Sequence, residues 1–106
     1  MRFKTLALAA VTALAATAAN AQYSDGTIKI GIMNDQSGLY ADLSGQGSVW
    51  AARKAVDDFC KTAKCEKIEI VFADHQNKPD IGSNIARQWL DVDKVDVIVD
   101  VPTSSV

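Results

Sequence analysis

The sequence predicts an α/β fold: a three-stranded parallel sheet of order 2-1-3 with helices on both faces. Three observations carry this. Apolar residues alternate at period two in the segments 27–32, 68–73 and 95–101, and the two segments between them repeat at helical spacing. Each strand also runs into a polar connection. Strand, helix, strand, helix, strand requires two crossovers between parallel strands, and such crossovers are right-handed in nearly all known cases. With the helices on opposite faces, strand 1 lies between strands 2 and 3. The loops after strands 1 and 3 then diverge and open a crevice, the place where open α/β sheets bind ligands.

The chain opens on a leader. Met1-Arg2-Phe3-Lys4 is a positive start, residues 6–18 are apolar except for Thr12 and Thr17, and Ala19-Asn20-Ala21 is a small-x-small cleavage site. A membrane anchor would need ~20 apolar residues, and this alanine-dominated run is shorter. The segment 1–21 therefore reads as a secretory signal peptide cleaved after Ala21. Removing it leaves 85 of the 106 residues and takes away Arg2 and Lys4, so nine basic residues face thirteen acidic ones and the net charge is −4. An acidic exported chain without a basic cluster is a poor partner for nucleic acid or anionic lipid. The length allows one domain, and chains this small bury only about 60% of the surface their unfolded form exposes.

The first strand, 27–32, places isoleucines at 28, 30 and 32. Residues 34–44 collect Asn, Asp, Ser and Gly, which favour turns, so a long polar loop follows. From about Gly47 to Lys61, Val49, Ala52, Val56, Phe59 and Cys60 recur at helical spacing, with Lys61 and Lys64 placed to complement the helix C-terminus. The second strand holds Ile68, Ile70 and Phe72 on one side, and the polar run 74–78 ends it. Pro79 suits a first helical position, where its missing N–H costs nothing, and Asp80 adds negative charge to that turn. In the helix it starts, the rows Ile81, Ile85, Trp89 and Gly82, Ala86, Leu90 predict one broad buried stripe. The third strand, 95–101, is expected to set its four valines on one side and Asp96, Ile98 and Asp100 on the other. Charges alternating with valines imply a sheet edge or a strand end.

This topology brings Ser37, Gly38 and Tyr40 near Thr103, Ser104 and Ser105. The loop 74–78 lies on the same edge, one strand further out. Hydroxyls and backbone N–H groups at a helix N-terminus can hold a carboxylate without a metal or a basic side chain.

The blocks IKIGIMNDQSGLYADLSGQGS, IEIVFADHQNKPD and VDVIVDVPTSSV resemble the N-terminal part of the periplasmic solute-binding proteins of ABC importers in the leucine/isoleucine/valine-binding group. The resemblance covers residues 26–106 and implies the start of lobe 1 of a type I binding protein. It further implies a binder rather than an enzyme, closing on an amino acid or a related small organic acid, aromatic acids included, for delivery to a membrane permease. By this resemblance Thr103, Ser104 and Ser105 hold the ligand carboxylate and Tyr40 forms an aromatic wall. Ser37 is a further candidate, although for Ser37, Gly38 and Asp42 a turn-forming role competes with contact. The family runs on for several hundred residues, so 22–106 is expected to be a truncated lobe 1 with a valine-rich third strand left open to association.

Other residues carry plainer expectations. Trp50 and Trp89 are expected to fill the layers between helix and sheet. His75 lacks further metal ligands at useful spacing and is assigned to a surface loop; no metal or cofactor is expected. Cys60 and Cys65 are the only cysteines, and export favours a disulfide between them, with core thiols as the alternative. Two cytoplasmic readings compete. A phosphoreceiver would use acids such as Asp35 and Asp100, but export removes it from its phosphodonors. A dinucleotide fold would use Gly45-Gln46-Gly47, which stands too far from its strand and has Trp50 at the third glycine position.

Overall fold

In the computed structural model, the described residues are 25–65 and 67–106; residues 1–21, expected from sequence to be a signal peptide, lie outside them. The elements are β1 (Ile28–Asn34), α1 (Gly45–Cys60), β2 (Ile68–Asp74), α2 (Pro79–Asp91) and β3 (Val97–Val99). Both pairings are parallel and the strand order is β2-β1-β3. This is the 2-1-3 sheet that the crossover argument requires.

The alternation of β1 sorts the two faces. Gly31 and Met33 look toward α2, where Met33, Trp89 and Val95 form a buried cluster supported by Val71, Ala73, Ile85, Ala86 and Ile98. Gly31 permits that layer to close: a Cβ there would stand 2.5 Å from the Trp89 ring and 3.2 Å from Val95. On the other face Ile32 and, on α1, Val49 are fully buried. Burying a side chain such as Ile32 is worth roughly 1.5–3 kcal/mol. Pro79 opens α2 with Asp80 in its first turn, as their chemistry predicts.

Several expectations are corrected. Trp50 is 68% exposed, and Phe59 and Leu90 are also exposed, so α1 and α2 bury narrower stripes than their apolar rows suggest. The third strand is shorter than 95–101. Its start is set by Asp96, whose Oδ2 accepts the Lys29 N–H while its own N–H donates to the Lys29 carbonyl. Its end is set by Asp100, which leaves extended geometry at φ 56°. Val95 precedes the strand and packs with Ile98 in the α2 layer, so the four valines do not share one side. Val97 and Val99 are exposed because α1 lies across β1 and β2 rather than β3.

Cys60 and Cys65 are joined by a disulfide across the end of α1, with Cα atoms 5.1 Å apart, inside the usual span for such a bond. Among the described residues no helix is long and apolar enough to cross a membrane.

Candidate functional site

Where β1 and β3 end, their following loops separate and leave a cavity of about 570 Å³. The β1–α1 side contributes Tyr40, Leu43 and Ser44, with Ser48 from the first turn of α1. Asn77 comes from the β2–α2 turn, and Asp100, Pro102, Thr103, Ser104 and Ser105 come from the segment after β3. Of the residues singled out from sequence, Tyr40, Thr103, Ser104 and Ser105 are thus brought together around one space. Ser37 is not: its hydroxyl donates to Asp74 Oδ2, away from the cavity lining.

The loop that presents Tyr40 is built on a buried carboxylate. Asp35, 0% exposed, accepts the N–H of Gly38 at 2.8 Å and that of Tyr40 at 3.0 Å. A Cβ on Gly38 would stand 2.7 Å from Asp35 Oδ2, so only glycine lets the chain wrap so closely. The Tyr40 carbonyl in turn accepts the N–H groups of Leu43 and Ser44, which leads the chain into α1. Asp74 braces the same loop from β2 by accepting the Gln36 N–H and the Ser37 hydroxyl. Burial works against ionisation of Asp74, but these two donors and the Gln76 N–H outweigh it and hold the carboxyl below its ordinary value.

Behind the cavity sits Asn34, the last residue of β1 and fully buried. Its Nδ2 donates to the Gly45 carbonyl at 3.0 Å and to Asp100 Oδ2 at 2.7 Å, tying the start of α1 to the end of β3. His75 is fully buried, not the surface-loop residue expected. Its Nδ1 accepts the Asn77 N–H, which anchors a turn in which Gln76 and Asn77 both take positive φ. That turn delivers Asn77 to the cavity although β2 lies one strand out.

Three buried polar atoms of lining residues have no hydrogen-bond partner among the described residues: Ser44 Oγ, Asn77 Oδ1 and Thr103 Oγ1. Buried polar groups are nearly always satisfied, so a cluster of unsatisfied ones around a single cavity marks a place for ligand or water. Ser44 stands at the N-cap of α1 without making a side-chain cap bond, so the N-terminus of the helix also opens here. Among the described residues no Lys, Arg or His lines the cavity. Among the described residues no three His, Cys, Asp or Glu side chains converge to hold a metal.

Sequence reasoning missed Leu43, Ser44, Ser48, Asn77, Asp100 and Pro102 as lining residues. Ser44, a capping residue type directly before Gly45, carried a usable signal; Asn77 carried none, since its position depends on the burial of His75.

A crevice at the switch point of a parallel sheet, lined by hydroxyls, one carboxylate and a helix N-terminus, defines the lobe of a small-molecule binding protein. A family model described as periplasmic binding protein matches residues 27–106, and the chain belongs to that family. Its members are transporter components rather than enzymes, and the sheet with its two helices is the opening unit of lobe 1 of the type I fold. The phosphoreceiver and dinucleotide readings fall with this assignment. The chain is similar to the crystal structure of a periplasmic binding protein from Burkholderia mallei, with 47% identity and a TM-score of 0.64 over 70% of this chain and 20% of that one. It is similar also to a branched chain amino acid ABC transporter periplasmic ligand-binding protein from Burkholderia xenovorans LB400, with 41% identity and a TM-score of 0.66 over 71% of this chain and 20% of that one. The chain therefore spans about a fifth of the length of these solved structures. No curated protein matches the sequence significantly.

Proposed function

We propose that the chain carries ligand-binding residues of the substrate-binding component of an ABC importer for branched-chain amino acids or related small organic acids, aromatic ones among them. In this reading residues 1–21 are an export signal removed after Ala21, residues 22–106 belong to lobe 1, and the protein works in the periplasm. In this reading the bound ligand is handed to a membrane permease.

The single observation that carries the reading is the set of unsatisfied atoms on one cavity: Ser44 Oγ, Asn77 Oδ1 and Thr103 Oγ1. The hydroxyls of Ser44, Thr103, Ser104 and Ser105, with N–H groups at the start of α1, suit a carboxylate. Tyr40, Leu43 and Pro102 offer an apolar wall for a side chain. The ligand class named for the Burkholderia xenovorans relative supports an amino-acid ligand.

Ligand-observed NMR on the purified chain tests this. Saturation should transfer from the protein to L-leucine, L-isoleucine or L-valine, or to an aromatic acid, at millimolar ligand. Tyr40→Ala, or Thr103→Val combined with Ser104→Ala, should remove most of the signal, since each lost bond to a charged group costs about 1.5–3 kcal/mol. Transfer that both variants leave unchanged would move the site elsewhere. N-terminal sequencing of periplasmic material should begin at Gln22; an intact Met1 in the cytosol would defeat the export reading.

A further inference from the structure

We propose that His75 is a positioning residue whose protonation state governs the cavity: the neutral ring holds the turn that carries Asn77 to the lining, and the protonated ring releases that turn and weakens ligand binding. The inference rests on the binding reading above and adds a control by acid to it.

His75 is the chain's only histidine and is fully buried. Its Nδ1 accepts the Asn77 N–H at 3.0 Å, so in the neutral ring the proton sits on Nε2. Nε2 is buried too and has no hydrogen-bond partner among the described residues. An imidazolium has two N–H donors and no acceptor. At this position one donor would confront the Asn77 amide hydrogen, and the other would stay buried without an acceptor, which is costly. Uptake of one proton therefore removes a bond from the turn and puts nothing in its place.

The turn depends on that bond. Gln76 and Asn77 take φ of 53° and 56°, left-handed geometry in two consecutive residues that carry side chains. Such backbone persists only where its surroundings hold it. Here the Gln76 N–H donates to Asp74 Oδ1, the Asn77 N–H to His75 Nδ1 and the Lys78 N–H to the His75 carbonyl. Of these acceptors only the imidazole is of a kind that takes up a proton between about pH 5 and 8, since the Asp74 carboxyl is held below its ordinary value and stays ionised there. Asn77, fastened by the imidazole bond, is the residue of this turn that lines the cavity.

The charges around the ring do not rescue the cation in place. Asp74, its neighbour on β2, attracts it, but the Asp74 oxygens already accept from Gln36, Ser37 and Gln76. Asp35, at the end of β1, spends both oxygens on the N–H groups of Gly38 and Tyr40. From α2 the close approach is Gly82, where a Cβ would stand 3.7 Å from the His75 Cβ. The charged residues of that helix, Asp80, Arg87 and Asp91, are exposed, as is Lys78 before it. Residues 101–106, which reach Gly82 through Val106, carry no charged side chain.

NMR on the purified chain reads the device directly. At about pH 7.5 the ring nitrogen signals should show Nδ1 unprotonated and the Asn77 amide should be protected from exchange. As acid protonates the ring toward about pH 5.5, the Asn77 protection factor should fall at least about tenfold, the consequence of leaving buried donors unsatisfied. Affinity for L-leucine, L-isoleucine, L-valine or phenylacetate should fall about two- to tenfold with it, because binding draws on the fraction of chains whose turn is held. His75→Asn, whose Oδ1 can accept the same N–H, should keep the neutral-pH protection and affinity at both pH values. His75→Phe removes the acceptor and should show the acid values at both. Should either variant fail to fold by circular dichroism, the titration of the unaltered chain decides alone, since its only histidine supplies the response. Nδ1 found protonated at neutral pH, an Asn77 amide and an affinity that do not follow ring protonation, or a His75→Asn variant with the pH response of the unaltered chain overturns this inference and leaves the cavity as the binding site. The ring and amide signals need no ligand, so absence of binding by all four compounds at both pH values defeats the functional reading separately.

Discussion

Asn34 Nδ2 donates to Asp100 Oδ2 across 2.7 Å, although the two residues stand 66 positions apart in the chain. The bond joins the C-terminal ends of the two strands whose loops form the cavity. A second bond from the same nitrogen reaches Gly45, so one buried carboxamide positions both walls.

Replacing Asn34 should therefore loosen both walls together. Asn34→Ala leaves the Gly45 carbonyl and the Asp100 carboxylate without a buried donor, an expected loss of about 1–3 kcal/mol in urea unfolding. Asn34→Asp should be worse at pH 7, because it sets two carboxylates in contact. A midpoint unchanged in both variants would show that the bond contributes nothing.

Asp74 makes stability depend on acid. Its carboxyl is held below an ordinary value of 3.8 in the folded chain, so the stabilisation is complete above that pH and is lost as pH falls through the lower, folded value. The expected outcome is an acid limb in thermal melting below about pH 4 that Asp74→Asn flattens. Because the carboxylate accepts from Gln36 and Ser37, the variant should also increase amide exchange in residues 36–40. Identical acid limbs in the two proteins would refute the assignment.

Gly31 has no room for a side chain. Gly31→Ala pushes a methyl into the Trp89 ring within the α2 layer and should destabilise by about 1–3 kcal/mol, the range for overpacked cores. The combined change Gly31→Ala, Trp89→Leu should recover part of that loss. A double variant no better than the single one would place the strain elsewhere.

The Cys60–Cys65 bond closes a small loop, with the two residues five apart. Chain-entropy arguments then allow only about 2 kcal/mol of stabilisation. Thiol labelling of denatured, unreduced protein should modify neither cysteine, and reduction should lower the urea midpoint modestly. Labelling of both without reductant would count against the bond.

Much of this fold was legible because it rests on local periodicity. Ile28, Ile30 and Ile32 announce a strand, Pro79 and Asp80 announce a helix start, and the handedness of crossovers turns five elements into one strand order. The hydroxyls at Thr103 to Ser105 were legible as well, since any residues after strand 3 must lie at the switch point. Burial was less so. His75 sits in a run of polar residues and reads as surface, yet it is fully buried, with α2 close enough that a Cβ on Gly82 would stand 3.7 Å from the His75 Cβ. Trp50 lies in the apolar pattern of α1 and reads as core, yet α1 leans across β1 and β2 and leaves it in solvent.

The sequence by itself determined the element types, their order, the parallel topology and the edge of the sheet where a ligand belongs, because those follow from side-chain period and chain chirality. Only the tertiary structure decided which polar groups meet there. The link from Asn34 to Asp100, the clasp of Asp35 on Gly38 and Tyr40, and the delivery of Asn77 to the cavity all depend on contacts between loops or strand ends. The partners in such contacts are set by the angles at which packed layers settle, and periodicity along the chain carries no record of those angles.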